Sequence, residues 1–516
     1  MGVNKVPPVS MTFRGWTTLA CLALALSPLP ACKGDATPEV RTKDAAVTAV
    51  KPPPAVDAGP PPAPKPPPGP PKRLFAKKFV AKVREAPKKE AFRIGYLRGG
   101  SVLMAKTGEP IGFEKCRKGW FELETGGFIC STVDAVAFLG KRLPERRATQ
   151  PDLEALLPYP YGYSRRKGTP VYKRLPNDEE AAQFEGYRIP GVPVRDAGVV
   201  EAPQAAGAPA EGAATPDAGV ATLASLQGEV DSVLLRRMER GFYVSLDREM
   251  KRGRRKYWRT QANGFIPHRR LLPVKGKDFA GTEIVEGEAW LPIAYVLSSK
   301  YWAWKLNKHG RLRRAGKPGY HHRFRITGEA TIKDKPYVID ADGVHYRAAD
   351  IARIDTRPRP KDVLEDEKWI DINLANQTIV AYVGDRPVYA SLVSTGRVKD
   401  EDDPLKNFET PVGGFRITSK HLTATMDGDH ALDGPYSIED VPYVMYFQLA
   451  FALHSAFWHN SFGRPRSHGC INLAPTDARW MFNFATPDVP KGWHGRYPTD
   501  TEPGTRLYIH GETPRG

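Results

Sequence analysis

Cysteine is scarce in this sequence: there are five in 516 residues, and only Cys470 lies in the C-terminal half. That scarcity excludes a scaffold in which dense disulfides replace a hydrophobic core. Long apolar runs are missing too. The stretch from Trp16 to Leu26 falls short of the roughly 20 residues that a mature membrane-spanning helix needs. Acidic residues are the minority charge, 58 Asp and Glu against 76 Lys and Arg, a formal net charge of +18. An excess of that size draws a protein to anionic surfaces such as nucleic acid, acidic lipid or an envelope polymer, and does not choose among them. Glycine and proline, 47 and 49 residues, are plentiful but clustered, which marks linkers. The length suits three or four domains.

The N-terminus narrows the choice. Lys5 and Arg14 stand before the Trp16–Leu26 stretch, whose size fits the apolar region of a secretory signal. It ends in Leu29-Pro30-Ala31-Cys32, which resembles a bacterial lipobox and makes Cys32 the expected lipid-modified residue of segment 1–32. Pro30 is unusual in such a box, and plain secretion is the alternative. Met1-Gly2 is no myristoylation signal, because Val6 stands where Ser or Thr is needed. Export argues against nucleic acid as a partner and for a cell-envelope, periplasmic location with an outer- or inner-membrane anchor. In an oxidising compartment Cys116 and Cys130 read as a disulfide, two buried free thiols being the alternative. Cys470 is then the odd, reactive cysteine.

Residues 33–88 read as a Pro/Ala-rich disordered tether. Its stretch from Pro52 to Pro71 spans roughly 60 Å if extended at about 3.1 Å per residue. Beyond it come short apolar runs punctuated by glycine: Ile94-Gly95-Tyr96, Val102-Leu103-Met104, Trp120 to Leu123, and Phe128-Ile129-Cys130. They fit a small β-barrel over 89–145 that resembles bacterial SH3-like modules. A related pattern, Tyr257-Trp258 followed by Asn263-Gly264-Phe265-Ile266, places a second such module at 159–275, with a disordered insertion near 195–225. A third, weaker echo covers 285–357, where Asp342-Gly343 turns between Tyr337-Val338-Ile339 and Val344-His345-Tyr346. Lys251 to Lys256 and Arg311 to Arg314 are basic. They read either as a surface for envelope polymer or as a solvated face.

Alternation resumes near residue 366. Ile370, Ile372 and Leu374 share one face of a strand, and Ile379, Ala381 and Val383 one face of the next. Pro475 followed by Ala478, Met481, Phe482 and Ala485 predicts a helix with proline in its first turn, and Leu507-Tyr508-Ile509 a closing strand. The expected fold is mainly β and multidomain, small barrels preceding a mostly β C-terminal domain with few helices.

The stretch His454-Ser455, then Ser467-His468-Gly469-Cys470-Ile471-Asn472, carries the chemistry. A free thiol is mostly protonated at neutral pH, so a nucleophilic cysteine needs a base beside it; His454 and His468 are the candidates. Gly469 removes a side chain where a substrate carbonyl would approach and exposes backbone N–H groups to an oxyanion. This segment resembles the signature of the L,D-transpeptidase (YkuD-type) catalytic domain. His454 lies 16 residues ahead of the thiol, and Val393-Ser394-Thr395-Gly396 and Thr410-Pro411-Val412-Gly413-Gly414-Phe415 resemble two further elements of that family in order. The resemblance covers roughly 366–510, within a catalytic domain read as 366–512. It implies a peptidoglycan L,D-transpeptidase acting on stem peptides without cofactor or metal. Cys470 would be the nucleophile, His454 its base, and the Ser455 carbonyl the group that orients the imidazole. His468 would border the pocket, backbone N–H groups of His468 to Cys470 would hold the oxyanion, and Ser467 and Asn472 would brace the loop. Tyr446 is a candidate for the donor groove, along with Tyr443 and Phe447, although such aromatics more often lie in cores. The acyl-enzyme thioester would pass from a tetrapeptide stem to an amine, a 3→3 cross-link. An L,D-carboxypeptidase, a protein-to-wall anchoring enzyme and a non-catalytic peptidoglycan-binding lipoprotein are the alternatives.

Overall fold

The alternating segments of the C-terminal region become a sheet covered on both faces. In the structure, a computed structural model, residues 70–138, 148–186, 222–285, 291–398, 400, 402–403, 407–430 and 434–515 are described. The signal segment with Cys32, the tether up to residue 69 and positions 195–221 of the insertion lie outside the described residues. All described residues belong to one unit, Pro67–Gly516. The architecture is mostly β; the α-helices among the described residues are Asp178–Glu185 and Pro475–Phe484.

Strands Lys368–Asn373, Thr378–Val383 and Arg386–Leu392 form an antiparallel meander, and Arg506–His510 returns parallel to the first. Ile370, Ile372, Ile379 and Ala381 face a core shared with Met445, Leu453, Ile471, Met481 and Phe482. The opposite face is buried as well. Trp369 and Tyr382 stack at 4.2 Å between centroids and pack with Ile293, Tyr295 and Ile354 of the 285–357 region. Both residue sets of each strand are therefore apolar, and simple in/out alternation understates the burial.

The second layer is a long hairpin, Ser419–His430 with Gly434–Gln448, continued by Phe451–Ser455 and, parallel to it, Ile471–Leu473. Helix Pro475–Phe484 packs Ala478, Met481 and Phe482 into the core. Its end is capped from outside: Lys420 Nζ donates to the carbonyls of Phe482, at 2.6 Å, and Ala485. This satisfies groups a helix leaves without internal partners, while burial pushes the Lys420 amine down to about 7. In helix Asp178–Glu185 the reciprocal bonds between Asn177 and Glu180 close the first turn, and Gly186 at φ 69° ends it.

The N-terminal regions do not stand apart on spacers. Strands Arg73–Ala76 and Val80–Arg84 lie inside the 33–88 span read as tether, and pair with strands of the 89–145 region. Proline density misplaces that boundary because it ends at Pro71, whereas Leu74, Ala76, Ala81 and Val83 are core residues. Cys116 and Cys130 are joined in a disulfide with an S–S length of 2.03 Å. Three regions then meet on the long hairpin at Asp440. Arg98 donates to its two carboxylate oxygens at 2.5 and 3.0 Å. Ser245 and Thr423 hydroxyls donate to them at 2.5 and 2.7 Å, and Tyr161 donates to its carbonyl. The Arg98 charge holds the Asp440 carboxyl below its ordinary range even though burial pushes the other way.

Candidate active site

His454 is the fourth residue of strand Phe451–Ser455 and pairs with Asn472 across the parallel ladder. Cys470 precedes the partner strand, so continuing that register sets it beside Ala452. Side chains two residues apart share a face of a strand, and Cys470 and His454 therefore face the same side of adjacent strands. The thiol donates weakly to the Ala450 carbonyl at 3.6 Å. His454 Nδ1 lies 3.1 Å from the Ser455 carbonyl. A carbonyl only accepts, so Nδ1 carries the proton and Nε2 keeps its lone pair.

Around this pair, the loop is fixed by the flanking motifs. Ser467 Oγ donates to the Cys470 carbonyl at 2.5 Å and accepts from Gly469 N–H at 3.1 Å. Thr410 Oγ1 accepts from Gly396 N–H at 2.9 Å and donates to the Gly469 carbonyl at 2.8 Å. Ser394 and Asn472 exchange backbone bonds of 3.0 and 2.9 Å. The two upstream elements thus act as struts for the loop. Gly396 passes so close to Phe408 that a Cβ would stand 1.7 Å from the Phe408 carbonyl oxygen.

Gly469 has φ +111°, and a Cβ there would stand 2.3 Å from the Phe451 ring. The space freed by the missing side chain is filled by Phe451, and the Gly469 amide is engaged with Ser467. Gly469→Ala must therefore displace either the ring or the loop. It is expected to cost roughly 1–3 kcal/mol of local stability and to slow modification of Cys470 by a bulky acyl donor at least about tenfold. Intact-mass kinetics on the variant check this; unchanged kinetics would mean the loop tolerates the shift.

His459, which has no part in the motif, is buried and bridges the loop: its Nδ1 accepts from Ser461 N–H at 3.1 Å, and its Nε2 lies 2.9 Å from the Asn472 side-chain amide. With Nδ1 accepting, Nε2 must donate, so the Asn472 group facing it is the amide oxygen. Asn472 is in this way a brace. His468 is exposed and forms the rim. Its ring stacks on Tyr436 with centroids 5.8 Å apart and 4° between planes, and meets Phe408 edge-on at 4.7 Å. Arg397 donates to His468 Nε2 at 3.1 Å, which takes that nitrogen's lone pair and leaves His454 the better placed base.

Burial shapes the electrostatics. It pushes His454 down to about 4, against the pull of the Ser455 carbonyl, and His459 down to about 3. The same desolvation raises Cys470 above its ordinary value, opposed by a backbone bond from Ala452. At neutral pH the resting pair is thiol and neutral imidazole, not a preformed ion pair. Tyr446 is half-buried and packs, like Cys470, Ile438 and Trp458, against Val441, Val444 and Ala452. Tyr443 and Phe447 lie in the core. Tyr436, Trp458 and Arg397 escaped the sequence reading because the register of the hairpin brings in the first, and loop closure the others. Only the position of Arg397, directly after Gly396, was a usable signal.

Residues 367–509 match the family described as the L,D-transpeptidase catalytic domain (YkuD). Over 90 residues the chain is 37% identical to L,D-transpeptidase 1 of Mycobacterium tuberculosis, a match covering 16% of this chain and 35% of that protein. The chain thus spans about a third of the length of this curated relative. Among solved structures, an L,D-transpeptidase from Stackebrandtia nassauensis aligns at 19% identity and a TM-score of 0.21, covering 30% of this chain and 60% of that one. The catalytic domain of the Enterococcus faecium L,D-transpeptidase aligns at 21% and 0.21, covering 28% and 98%.

Proposed function

With residues 367–509 forming a YkuD-type L,D-transpeptidase catalytic domain, we propose that the chain is a peptidoglycan L,D-transpeptidase with Cys470 as its nucleophile. The observation that carries this reading is the pairing of the two strands, which sets the thiol on the same face as a histidine whose Nδ1 is tied to the Ser455 carbonyl. His454 Nε2 takes the thiol proton as sulfur attacks the carbonyl of the L,D-peptide bond in a tetrapeptide stem. The developing oxyanion falls to backbone N–H groups, with the Cys470 amide the best placed since the Gly469 amide is already engaged. The protonated His454 gives its proton to the departing D-alanine amine, and the C–N bond breaks to leave a thioester. A side-chain amine of a neighbouring stem, deprotonated by His454, then attacks the thioester. The thiol reforms and a 3→3 cross-link results.

No cofactor or metal enters these steps. An exported, lipid-anchored protein working in the cell envelope suits such a substrate, with Cys32 as the anchor. The 89–145, 159–275 and 285–357 regions are read as SH3-like modules; their short-stranded sheets support this. Incubation with a disaccharide-tetrapeptide and mass analysis of the products tests the whole reading. Dimer that has lost one D-alanine is the expected result. Monomeric tripeptide would replace it with a carboxypeptidase, and unaltered substrate would favour a stem-peptide binder or an acceptor of another kind.

A further inference from the structure

Segment 456–466, which joins His454 to the Cys470 loop, is held from two sides. On the catalytic domain's side, Ser394 Oγ donates to the Ser461 carbonyl at 2.8 Å and Gly463 N–H to the Val393 carbonyl at 2.8 Å. On the other side stands the 285–357 region. Phe462 is wholly buried in a cluster with Ile293, Tyr295 and Ala456, against which Leu297 and Trp458 pack. A Cβ on Gly463 would stand 2.4 Å from the Leu297 side chain. Polar bonds fix the same seam. His321 Nε2 lies 3.1 Å from the Phe462 carbonyl, which only accepts, so this nitrogen carries the proton and donates. The Tyr320 hydroxyl adds a longer bond of 3.5 Å to the same oxygen. Arg464 donates to the Leu297 carbonyl and the Tyr301 hydroxyl, both at 3.3 Å. His321 has φ 61°, a left-handed conformation that glycine and asparagine adopt most easily. Its half-buried ring lies against Tyr320 at 3.7 Å and Phe279 at 4.3 Å between centroids. A backbone that does not favour histidine thus carries one whose ring nitrogen is aimed at the loop.

We propose that His321 is a positioning residue for acyl transfer: with Arg464 anchored on Leu297, it seats segment 456–466 and so fixes the groups that hold His454. Two routes run from the seam to the base. Trp458 packs against the Phe462 cluster and stacks on His454 at 5.8 Å. The Phe462 ring also lies 5.0 Å from His459, whose Nε2 braces Asn472, the residue paired with His454 across the parallel ladder. The active site is therefore completed by a region outside residues 367–509, and this rests on the L,D-transpeptidase reading. His321 acts through the loop and not on the donor. A base displaced by a fraction of an ångström still meets bound substrate but moves the proton poorly, so the effect falls on the limiting rate.

The test uses full-length protein and three variants. His321→Leu keeps apolar volume and removes the donor, His321→Gln returns an N–H donor near the position of Nε2, and Arg464→Gln alters an exposed side chain on the same seam. Cys470 acylation by disaccharide-tetrapeptide is followed by intact mass over a range of donor concentrations, and amide exchange is followed in 456–466 and 368–392. His321→Leu is expected to lower the limiting rate about tenfold and to leave the half-saturating concentration within about twofold. Exchange should quicken in 456–466 while 368–392 stays protected. His321→Gln is expected to recover the rate to within about threefold of wild type, and Arg464→Gln to lose about threefold. Unchanged limiting rates in both His321→Leu and Arg464→Gln overturn the proposal. An equal loss in His321→Leu and His321→Gln also overturns it, since ring packing and not the hydrogen bond would then matter, as does a loss that falls on the half-saturating concentration. If His321→Leu loses protection in 368–392 as well, the variant has unfolded and Arg464→Gln decides: a wild-type rate there overturns the proposal. If the wild-type protein takes no acyl group at all, the activity reading falls and this one with it; acylated wild type with unaltered variants removes the positioning role alone.

Discussion

Cys470→Ala is expected to abolish acyl transfer, with D-alanine release from a tetrapeptide falling on the order of 10⁴-fold or more. The fold should survive. The thiol is partly exposed, its hydrogen bond to Ala450 is long, and losing one sulfur from the margin of a cluster costs less than about 1 kcal/mol. D-alanine release that persists in this variant would sink the thioester mechanism. The pH dependence adds a sharper check. Because burial raises the Cys470 thiol and lowers His454 to about 4, little thiolate exists at neutral pH. Alkylation of the free enzyme should climb steadily through the neutral range, about tenfold per pH unit, with no plateau below pH 8. A rate already maximal near pH 6 would instead mean a preformed thiolate and imidazolium. His454→Ala should slow acylation far more than alkylation at high pH, where hydroxide supplies the thiolate and the base is no longer needed.

The residues that do the chemistry were legible because their spacing is local. Ser467 to Cys470 form a loop that runs straight into strand Ile471–Leu473, and His454 is bound to the very next carbonyl, so a linear motif captured both. Strand positions from Ile370 to Val393 were legible for the same reason: a period of two survives burial on both faces. What stayed hidden depends on register between distant segments. Tyr436 reaches His468 only through the pairing of Ser419–His430 with Gly434–Gln448. Gly469 shows a subtler gap: the sequence demanded a small residue there, yet the reason includes Phe451, whose ring occupies the space. The polar core at Asp440 was also invisible, since Arg98, Ser245, Thr423 and Asp440 are scattered over more than 300 positions and none sits in a motif.

That polar core carries the largest expected effect on stability. Asp440 is buried with Arg98, and each side chain is almost wholly removed from water. Removing one partner of such a pair leaves the other charged and desolvated, so Asp440→Ala should cost about 3–5 kcal/mol. The cost should be local to the interface. Amide-exchange protection is expected to fall in the hairpin Ser419–Gln448 and in strand Arg93–Arg98, and to persist in the meander 368–392, which the network does not touch. The folded-state pKa of Asp440 lies below its unfolded value, so its contribution is present above the unfolded pKa of about 3.9. It is lost as pH falls through the lower folded value. The stability gap between wild type and Asp440→Ala should accordingly be constant from about pH 5 upward and shrink under acid. In the double variant Arg98→Met/Asp440→Leu neither charge remains to be stranded, and its cost should be well under the sum of the single changes. Strictly additive costs, or protection in the hairpin that is unchanged in Asp440→Ala, would show that the three regions are held together by their apolar contacts alone.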